Sequence, residues 1–127
     1  MSTPIGPYSP IVSAGPWLIC SGQLGLRPAT GGGAAASGPS LVEGGAPAQL
    51  TQALSNADRL LRDNGSGSAD VVKTTVFVTD MDGYAAVNEA YAAHFGDHRP
   101  TRSVVGVAAL PMQAAVEVEV WAYVAPH

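Results

Sequence analysis

Apolar and polar residues alternate along the last part of the chain. One side of this segment carries only small apolar residues: Val116, Val118, Val120, Ala122 and Val124. The other side mixes carboxylates with aromatic rings: Ala115, Glu117, Glu119, Trp121 and Tyr123. A period of two is typical of a strand with two different faces. We therefore predict a strand over Ala115–Val124.

Three other segments show strand character. Trp17–Leu26 is rich in β-favouring residues and lies between Gly15-Pro16 and Pro28, which predicts a strand or a tight hairpin. Asp70–Thr79 alternates, and Arg102–Ala109 becomes almost wholly apolar after its first residues. In Asp70–Thr79 the pattern places these residues on opposite faces: Val72, Val76 and Val78 against Lys73, Thr75 and Phe77.

Two segments instead repeat their apolar residues every three or four positions, which is the period of a helix. The first begins near Pro47, a residue suited to a first turn, and ends at Asn64-Gly65. Its stripe consists of Leu50, Leu54, Ala57 and Leu61. The second helix has Asp80 or Asp82 as its cap and ends at Gly96. Its stripe consists of Tyr84, Val87, Tyr91 and Phe95.

The order of these elements predicts an α+β fold in which two helices pack on one face of a single sheet. With 127 residues, the chain is the size of one domain, and we assign positions 1–127 to it. The segment 30–45 contains GGGAAASGPS, which has no side chain large enough to pack, so we predict a flexible surface loop there.

Only 13% of the residues are charged, about half of what a small monomer exposes. The sheet face that mixes aromatic rings with carboxylates is too apolar to be simply solvated, so we predict that another copy of the chain covers it. The net charge of −4 and the scattered basic residues argue against nucleic acid as a ligand. No signal peptide or membrane helix is visible, so we expect a cytoplasmic protein without a membrane partner.

Several candidate chemistries are disfavoured by the sequence. His94 and His98 lie one helical turn apart, but the second follows Gly96, so we expect contacts with the helix dipole and solvent rather than a metal. Cys20 lies in an apolar strand and is interpreted as a small buried residue, with a nucleophile as the alternative. Gly22 and Gly25 do not form a phosphate-binding loop, since no Gly-Lys-Ser/Thr follows.

Arg102 and Glu117 are the remaining candidates. An arginine that enters an apolar strand can bind a carboxylate through two parallel hydrogen bonds. Glu117 lies on the aromatic-bearing side of the last strand, where a raised pKa would allow proton exchange. The structural alternative is an ion pair of Arg102 with Glu117 or Glu119, and Glu119 could also exchange roles with Glu117. Asn88 is either an internal hydrogen-bonding anchor or a ligand contact.

Several separated segments resemble the RidA/YjgF family, also called reactive intermediate deaminases and historically L-PSP endoribonuclease-like proteins. These segments, in chain order, are Ile5-Gly6-Pro7-Tyr8-Ser9, Ser21-Gly22-Gln23, Val72–Val78, Val87-Asn88-Glu89-Ala90-Tyr91, Pro100-Thr101-Arg102-Ser103, Leu110-Pro111 and Val116-Glu117-Val118-Glu119. They span nearly the whole chain. The most specific part is Pro100-x-Arg102-Ser103 together with Glu117.

The resemblance implies a chorismate-mutase-like α+β fold and a homotrimer, with the sheets facing the trimer interior and ligand sites between subunits. It also implies hydrolytic deamination of enamine and imine intermediates, such as 2-aminoacrylate and other 2-imino acids, to 2-keto acids and ammonia without a cofactor. Arg102 would bind the substrate carboxylate, and Glu117 would activate water or protonate the departing nitrogen. The resemblance assigns further ligand contacts to Tyr8, Ser21, Gly22, Asn88 and the backbone of Val104.

Two departures from the family pattern are visible. Many members have cysteine where this chain has Val104, so a thiol-dependent property would be absent. The segment 30–42 is also longer and richer in glycine and alanine than the family loop. The leading hypothesis is an imine deaminase that uses Arg102 and Glu117, and the alternative is a non-catalytic trimer that binds small carboxylates or keto acids. An endoribonuclease is a third hypothesis, disfavoured by the scarcity of basic residues.

Overall fold

The fold contains two helices and five strands within residues 6–28 and 39–125, the ranges that the computed structural model describes. The strands, in chain order, are β1 Ile11–Ala14, β2 Trp17–Leu24, β3 Val71–Val78, β4 Thr101–Gly106 and β5 Val116–Tyr123. The helices are α1 Gly45–Arg62 and α2 Tyr84–Phe95. Neither helix is long and apolar enough to cross a membrane, as far as the described ranges extend.

The strands form one mixed sheet in the order β1-β2-β5-β3-β4. The neighbours β3 and β4 run parallel and are joined through α2, whereas the other pairs are antiparallel. Both helices share one core with the small apolar side of β5, which confirms the predicted arrangement of two helices on one sheet face. We call this side the helix-covered face. The other side, which includes Phe77, Glu117, Glu119 and Trp121, is the open face.

The helices form where the apolar spacing predicts them. The predicted α1 stripe is buried, and Gly65 in the left-handed region (φ 79°) follows the helix end. Before α2, the Asp80 carboxylate accepts a hydrogen bond from the backbone N–H of Asp82 at 2.9 Å. This contact caps a short 3₁₀ turn, Met81–Gly83, that runs into α2. The N-cap of α2 itself is Gly83, which makes no side-chain capping bond, so the prediction that Asp80 or Asp82 caps the helix is wrong. Gly96, with a φ of 64°, ends α2 as predicted.

Two details of the strands differ from the predictions. The predicted strand at Trp17–Leu26 is the second half of a hairpin, whose first strand, β1, was not predicted and is largely exposed. In β3, a bulge between Val71 and Lys73 reverses the alternation at the start of the strand. Val71 is therefore buried, and Val72, which was expected to lie beside Val76 and Val78, is 39% exposed.

The predicted loop at 30–45 is described only in its last part. The backbone N–H of Arg27 donates to the Ser40 carbonyl at 2.8 Å, and Leu41 forms an antiparallel bridge with Leu26. This part of the segment is therefore tied to the residues that follow β2. Positions 30–38 of the predicted loop, Ile5 of the N-terminal motif and His127 lie outside the described residues.

Candidate active site

Arg102 lies at the edge of the sheet and points to the helix-covered face. It is the second residue of β4, in register with Thr74 of β3, and neighbouring residues in register share a face. Its Nη1 donates a hydrogen bond to Oδ1 of Asn88 at 2.8 Å, and its Nη2 donates to Oη of Tyr84 at 3.0 Å. Two residues of α2 therefore hold the guanidinium by two different nitrogens.

A third α2 residue, Tyr91, contributes an aromatic surface. The Cζ atom of Arg102 lies 4.8 Å from the centroid of the Tyr91 ring and 5.7 Å from that of Tyr84. The buried hydroxyl of Tyr91 is hydrogen-bonded to Oγ1 of Thr74 at 2.8 Å, which fixes the ring. Burial raises the pKa of Tyr91, although the hydrogen bond with Thr74 and the charge of Arg102 act in the opposite direction. The spacing of Tyr84, Asn88 and Tyr91 places all three on one side of α2.

The guanidinium keeps both its charge and free donors. Asn88 and Tyr84 are neutral acceptors and use two of its five N–H groups, which leaves enough donors for a bidentate contact with a carboxylate. The alternative of an ion pair with Glu117 or Glu119 is wrong for the single chain. Among the described residues, the one ion pair joins Nε of Arg62 to Oδ2 of Asp58, at 2.6 Å.

Glu117 lies on the open face of β5, between the buried residues Val116 and Val118. It is half-buried and in register with Phe77 of β3. Burial raises the pKa of its carboxyl group, and the nearby charge of Glu119 raises it further. Both effects disfavour the ionised form, so the group is suited to hold and release a proton closer to neutral pH than an ordinary glutamate.

Gly22 lies directly against this carboxyl group. A Cβ atom built at Gly22 would approach Oε1 of Glu117 to 2.6 Å, so the close contact requires the absence of a side chain. The register between β2 and β5 shifts between Cys20 and Gln23, which places Gly22 in an irregular part of the strand. The structure thus brings together two predicted site residues, Gly22 and Glu117.

Ser21 and Tyr8 belong to the neighbouring N-terminal segment. The Oγ of Ser21 donates to the backbone carbonyl of Ser9 at 2.6 Å, and its N–H donates to the carbonyl of Pro10 at 2.9 Å. These bonds attach the segment to β2 beside Gly22. Tyr8 is 45% exposed, which leaves its ring available to a ligand or to another chain.

The predicted site residues form two groups on opposite faces of the sheet. Arg102, Asn88 and the partly buried Val104, whose side chain packs against the core, lie on the helix-covered face. Glu117 and Gly22 lie together at the open face. Within one chain, Arg102 and Glu117 are therefore separated by the sheet.

The surroundings of Cys20, His94 and His98 indicate structural roles for these residues. Burial raises the pKa of Cys20 to about 12, so its thiol stays protonated, as its interpretation as a small buried residue requires. His94 Nε2 and Ser68 Oγ are hydrogen-bonded at 2.8 Å, and His98 Nε2 donates to the Val71 carbonyl at 2.6 Å. The expectation of contacts with the helix dipole and solvent did not include these bonds. Both side chains are half-buried, and they connect the C-terminal end of α2 and the residues after it to the segment that leads into β3. No cluster suited to a metal ion occurs in residues 6–28 and 39–125.

Sequence reasoning missed the roles of Tyr84 and Tyr91 at the site. Both were assigned to the apolar stripe of the second helix, yet Tyr84 is 39% exposed and contacts Arg102. The four-residue spacing from Tyr84 to Asn88 was the available signal, because it places a second polar group on the side of the helix that carries the asparagine.

Comparisons with known proteins show which family the chain is similar to. A family model described as endoribonuclease L-PSP matches residues 1–124. The mouse 2-iminobutanoate/2-iminopropanoate deaminase is 39% identical over 122 residues, covering 96% of this chain and 84% of the relative. A RutC family protein from Pyrococcus horikoshii is 38% identical over 120 residues, covering 94% of this chain and 89% of the relative.

Solved structures show the same fold. RidA from an Antarctic Psychrobacter species superposes with a TM-score of 0.85 at 34% identity, covering 96% of this chain and 92% of the other. The Escherichia coli YjgF protein superposes with a TM-score of 0.82 at 36% identity, covering 94% and 90%. The family model and these structures match nearly the whole length of the chain. The chain therefore belongs to the RidA/YjgF family, which the model describes as endoribonuclease L-PSP.

Proposed function

We propose that the protein hydrolyses reactive enamine and imine intermediates, such as 2-aminoacrylate and other 2-imino acids, to 2-keto acids and ammonia. The observation that carries this proposal is the guanidinium of Arg102, held by neutral acceptors with donors to spare and with no acidic partner among the described residues. Such a group binds the carboxylate common to these substrates. The deaminase named among the relatives adds support for the reaction class.

The chemistry requires little beyond binding and proton transfer. The carbon of a protonated imine is electrophilic, so water adds to it once the substrate is held and the water lies at ~3 Å. Glu117 takes a proton from this water and then gives a proton to the nitrogen of the resulting carbinolamine. The C–N bond breaks and ammonia leaves, while the remaining hydroxyl gives its proton to Glu117 and becomes the carbonyl of the keto acid. Glu117 then passes this proton to ammonia or to solvent. The raised pKa of Glu117 suits a group that must act first as a base and then as an acid.

We further propose that each site is completed by a second copy of the chain, in a homotrimer with the sheets facing inward. Arg102 and Glu117 lie on opposite faces in one chain, so one copy's open face must approach another copy's α2–β4 side for both to reach one substrate. The open face suits such burial because it carries an aromatic cluster of Trp17, Trp121 and Tyr123. In this arrangement Asn88 and Val104 line the cleft from the side of Arg102.

The remaining predicted contacts belong to the other side of that cleft. Gly22 lies against the Glu117 carboxyl group, and Ser21 attaches the segment that carries Tyr8. We assign Tyr8, Ser21 and Gly22 to the wall that a second copy would contribute. We do not propose RNA as the substrate. Ten acidic residues outnumber six basic ones, and the basic residues are scattered along the sequence rather than clustered.

The test is ammonia release from 2-imino acids generated by an amino-acid oxidase acting on a panel of amino acids. We expect Arg102→Ala and Arg102→Lys to lower kcat/KM by roughly a hundred-fold or more, because lysine cannot reproduce a bidentate contact. Arg59→Ala is the matched control, since Arg59 is an exposed arginine of α1. Parental rates in Arg102→Ala would overturn the proposal. Tight keto-acid binding by the parent without ammonia release would instead favour a non-catalytic carboxylate-binding protein.

A further inference from the structure

Tyr84 stands apart from the other aromatic residues of α2. Tyr91 and Phe95 are buried in the core, whereas Tyr84 is 39% exposed and does not belong to the core cluster. Its hydroxyl lies 3.0 Å from Nη2 of Arg102, and its ring lies near the guanidinium. The position of this tyrosine is therefore better explained by its contact with Arg102 than by a role in the core.

The two α2 acceptors restrain different atoms of the guanidinium. Asn88 binds Nη1, and Tyr84 binds Nη2. With Asn88 alone, the planar group could still rotate about that single contact. A second acceptor on the other terminal nitrogen fixes the plane, and a neutral hydroxyl does so without cancelling the charge that a carboxylate ligand needs.

We propose that Tyr84 is a positioning residue, whose hydroxyl orients Arg102 for bidentate binding of the substrate carboxylate. This inference rests on the proposed function, because it assigns Arg102 the role of carboxylate clamp. Tyr84 acts on binding alone and transfers no proton. Removal of its hydroxyl should therefore weaken the binding of substrate and product and leave the chemical step nearly unchanged.

The test compares Tyr84→Phe with Thr51→Val, which removes a hydroxyl from an exposed residue of α1 that takes no part in the proposed site. For Tyr84→Phe we expect the KM for the imine of 2-aminobutyrate and the calorimetric Kd for 2-oxobutanoate to rise roughly three- to ten-fold, with kcat within about two-fold. Nitrogen NMR of the Arg102 Nη groups, assigned by their loss in Arg102→Lys, should show faster rotation in Tyr84→Phe. Thr51→Val should match the parent in all three measurements.

The outcomes separate the inference from the function on which it rests. Unchanged affinity and unchanged Nη rotation in Tyr84→Phe, in a parent that turns over imines and loses activity in Arg102→Ala, would overturn the positioning role alone. A fall in kcat at constant KM would also overturn it, because it would assign Tyr84 to the chemical step. A parent that neither binds 2-oxobutanoate nor releases ammonia would overturn the proposed function, while the Nη rotation would still decide whether Tyr84 orients the guanidinium.

Discussion

Gly22→Ala is expected to separate the position of the Glu117 carboxyl group from its chemistry. The substitution adds one methyl group and removes no functional group from the candidate site. That methyl carbon would lie 2.6 Å from Oε1, 2.7 Å from Cδ and 3.0 Å from Cγ of Glu117. Contacts this short are not tolerated, so the side chain of Glu117 must move.

The size of the movement follows from the contact distance. Restoring an ordinary separation of 3.4 Å requires Oε1 to move by about 0.8 Å, and a flexible side chain achieves this by a change of torsion that costs roughly 0.5–1.5 kcal/mol. The loss of stability should therefore be small. A displacement of about 1 Å at a reacting group lowers the rate by up to about a hundred-fold, so we expect kcat to fall ten- to a hundred-fold.

The assay combines ammonia release with thermal unfolding of the same preparations. Gly67→Ala is the matched control, because Gly67 has an extended backbone and an added Cβ would meet only an ordinary contact at 3.8 Å from Asp58 Oδ1. It should retain the parental kcat. A Gly22→Ala protein with parental kcat would refute the reasoning, and so would a loss of activity explained entirely by unfolding.

Three further predictions concern stability. In the folded state, burial and the charge of Glu119 raise the pKa of Glu117, so ionisation of this carboxyl group as the pH rises destabilises the fold. Glu117→Gln should therefore have a higher Tm than the parent at pH 8, and the difference in Tm should shrink towards pH 4. Burial lowers the pKa of His94, so the unfolded chain takes up a proton on His94 at a higher pH than the folded chain, and the free energy of unfolding falls as the pH drops below about 6.5. His94→Gln should flatten this pH dependence in denaturant titrations between pH 7 and 5. The same pH dependence in His94→Gln and the parent would contradict the assignment. Thr74→Val leaves the buried Tyr91 hydroxyl without this partner and should cost about 1–3 kcal/mol in urea unfolding, whereas Thr74→Ser should cost less.

The fold could be predicted from the sequence where burial requires a regular spacing of apolar residues. The alternation along β5 identified the helix-covered face, and the spacing of Leu50, Leu54 and Leu61 identified α1. The prediction failed where tertiary context overrides the pattern. β1 is short and exposed, so it has no apolar alternation, and the bulge at Val71 moves Val72 to the other face without any change in composition.

The residues of the candidate site could be selected one by one from the sequence, but their arrangement in space could not. Arg102 and Glu117 stand out because few charged residues lie in apolar strands. Their separation by the sheet depends on β3 pairing with both β4 and β5, and on the two registers, which no local pattern encodes. The contact of Tyr84 with Arg102 was missed for a related reason, since an aromatic residue at helical spacing is ordinarily interpreted as part of the core.

The most direct test of the central claim mixes two inactive variants. Arg102→Ala and Glu117→Gln subunits would be unfolded together, refolded in equal amounts and assayed for ammonia release. If each site takes its arginine from one copy and its glutamate from another, about a quarter of the sites regain both residues, and roughly a quarter of the parental activity should return. If the mixture is no more active than the separate variants although mixed oligomers form, the two residues do not act across subunits and the account is contradicted.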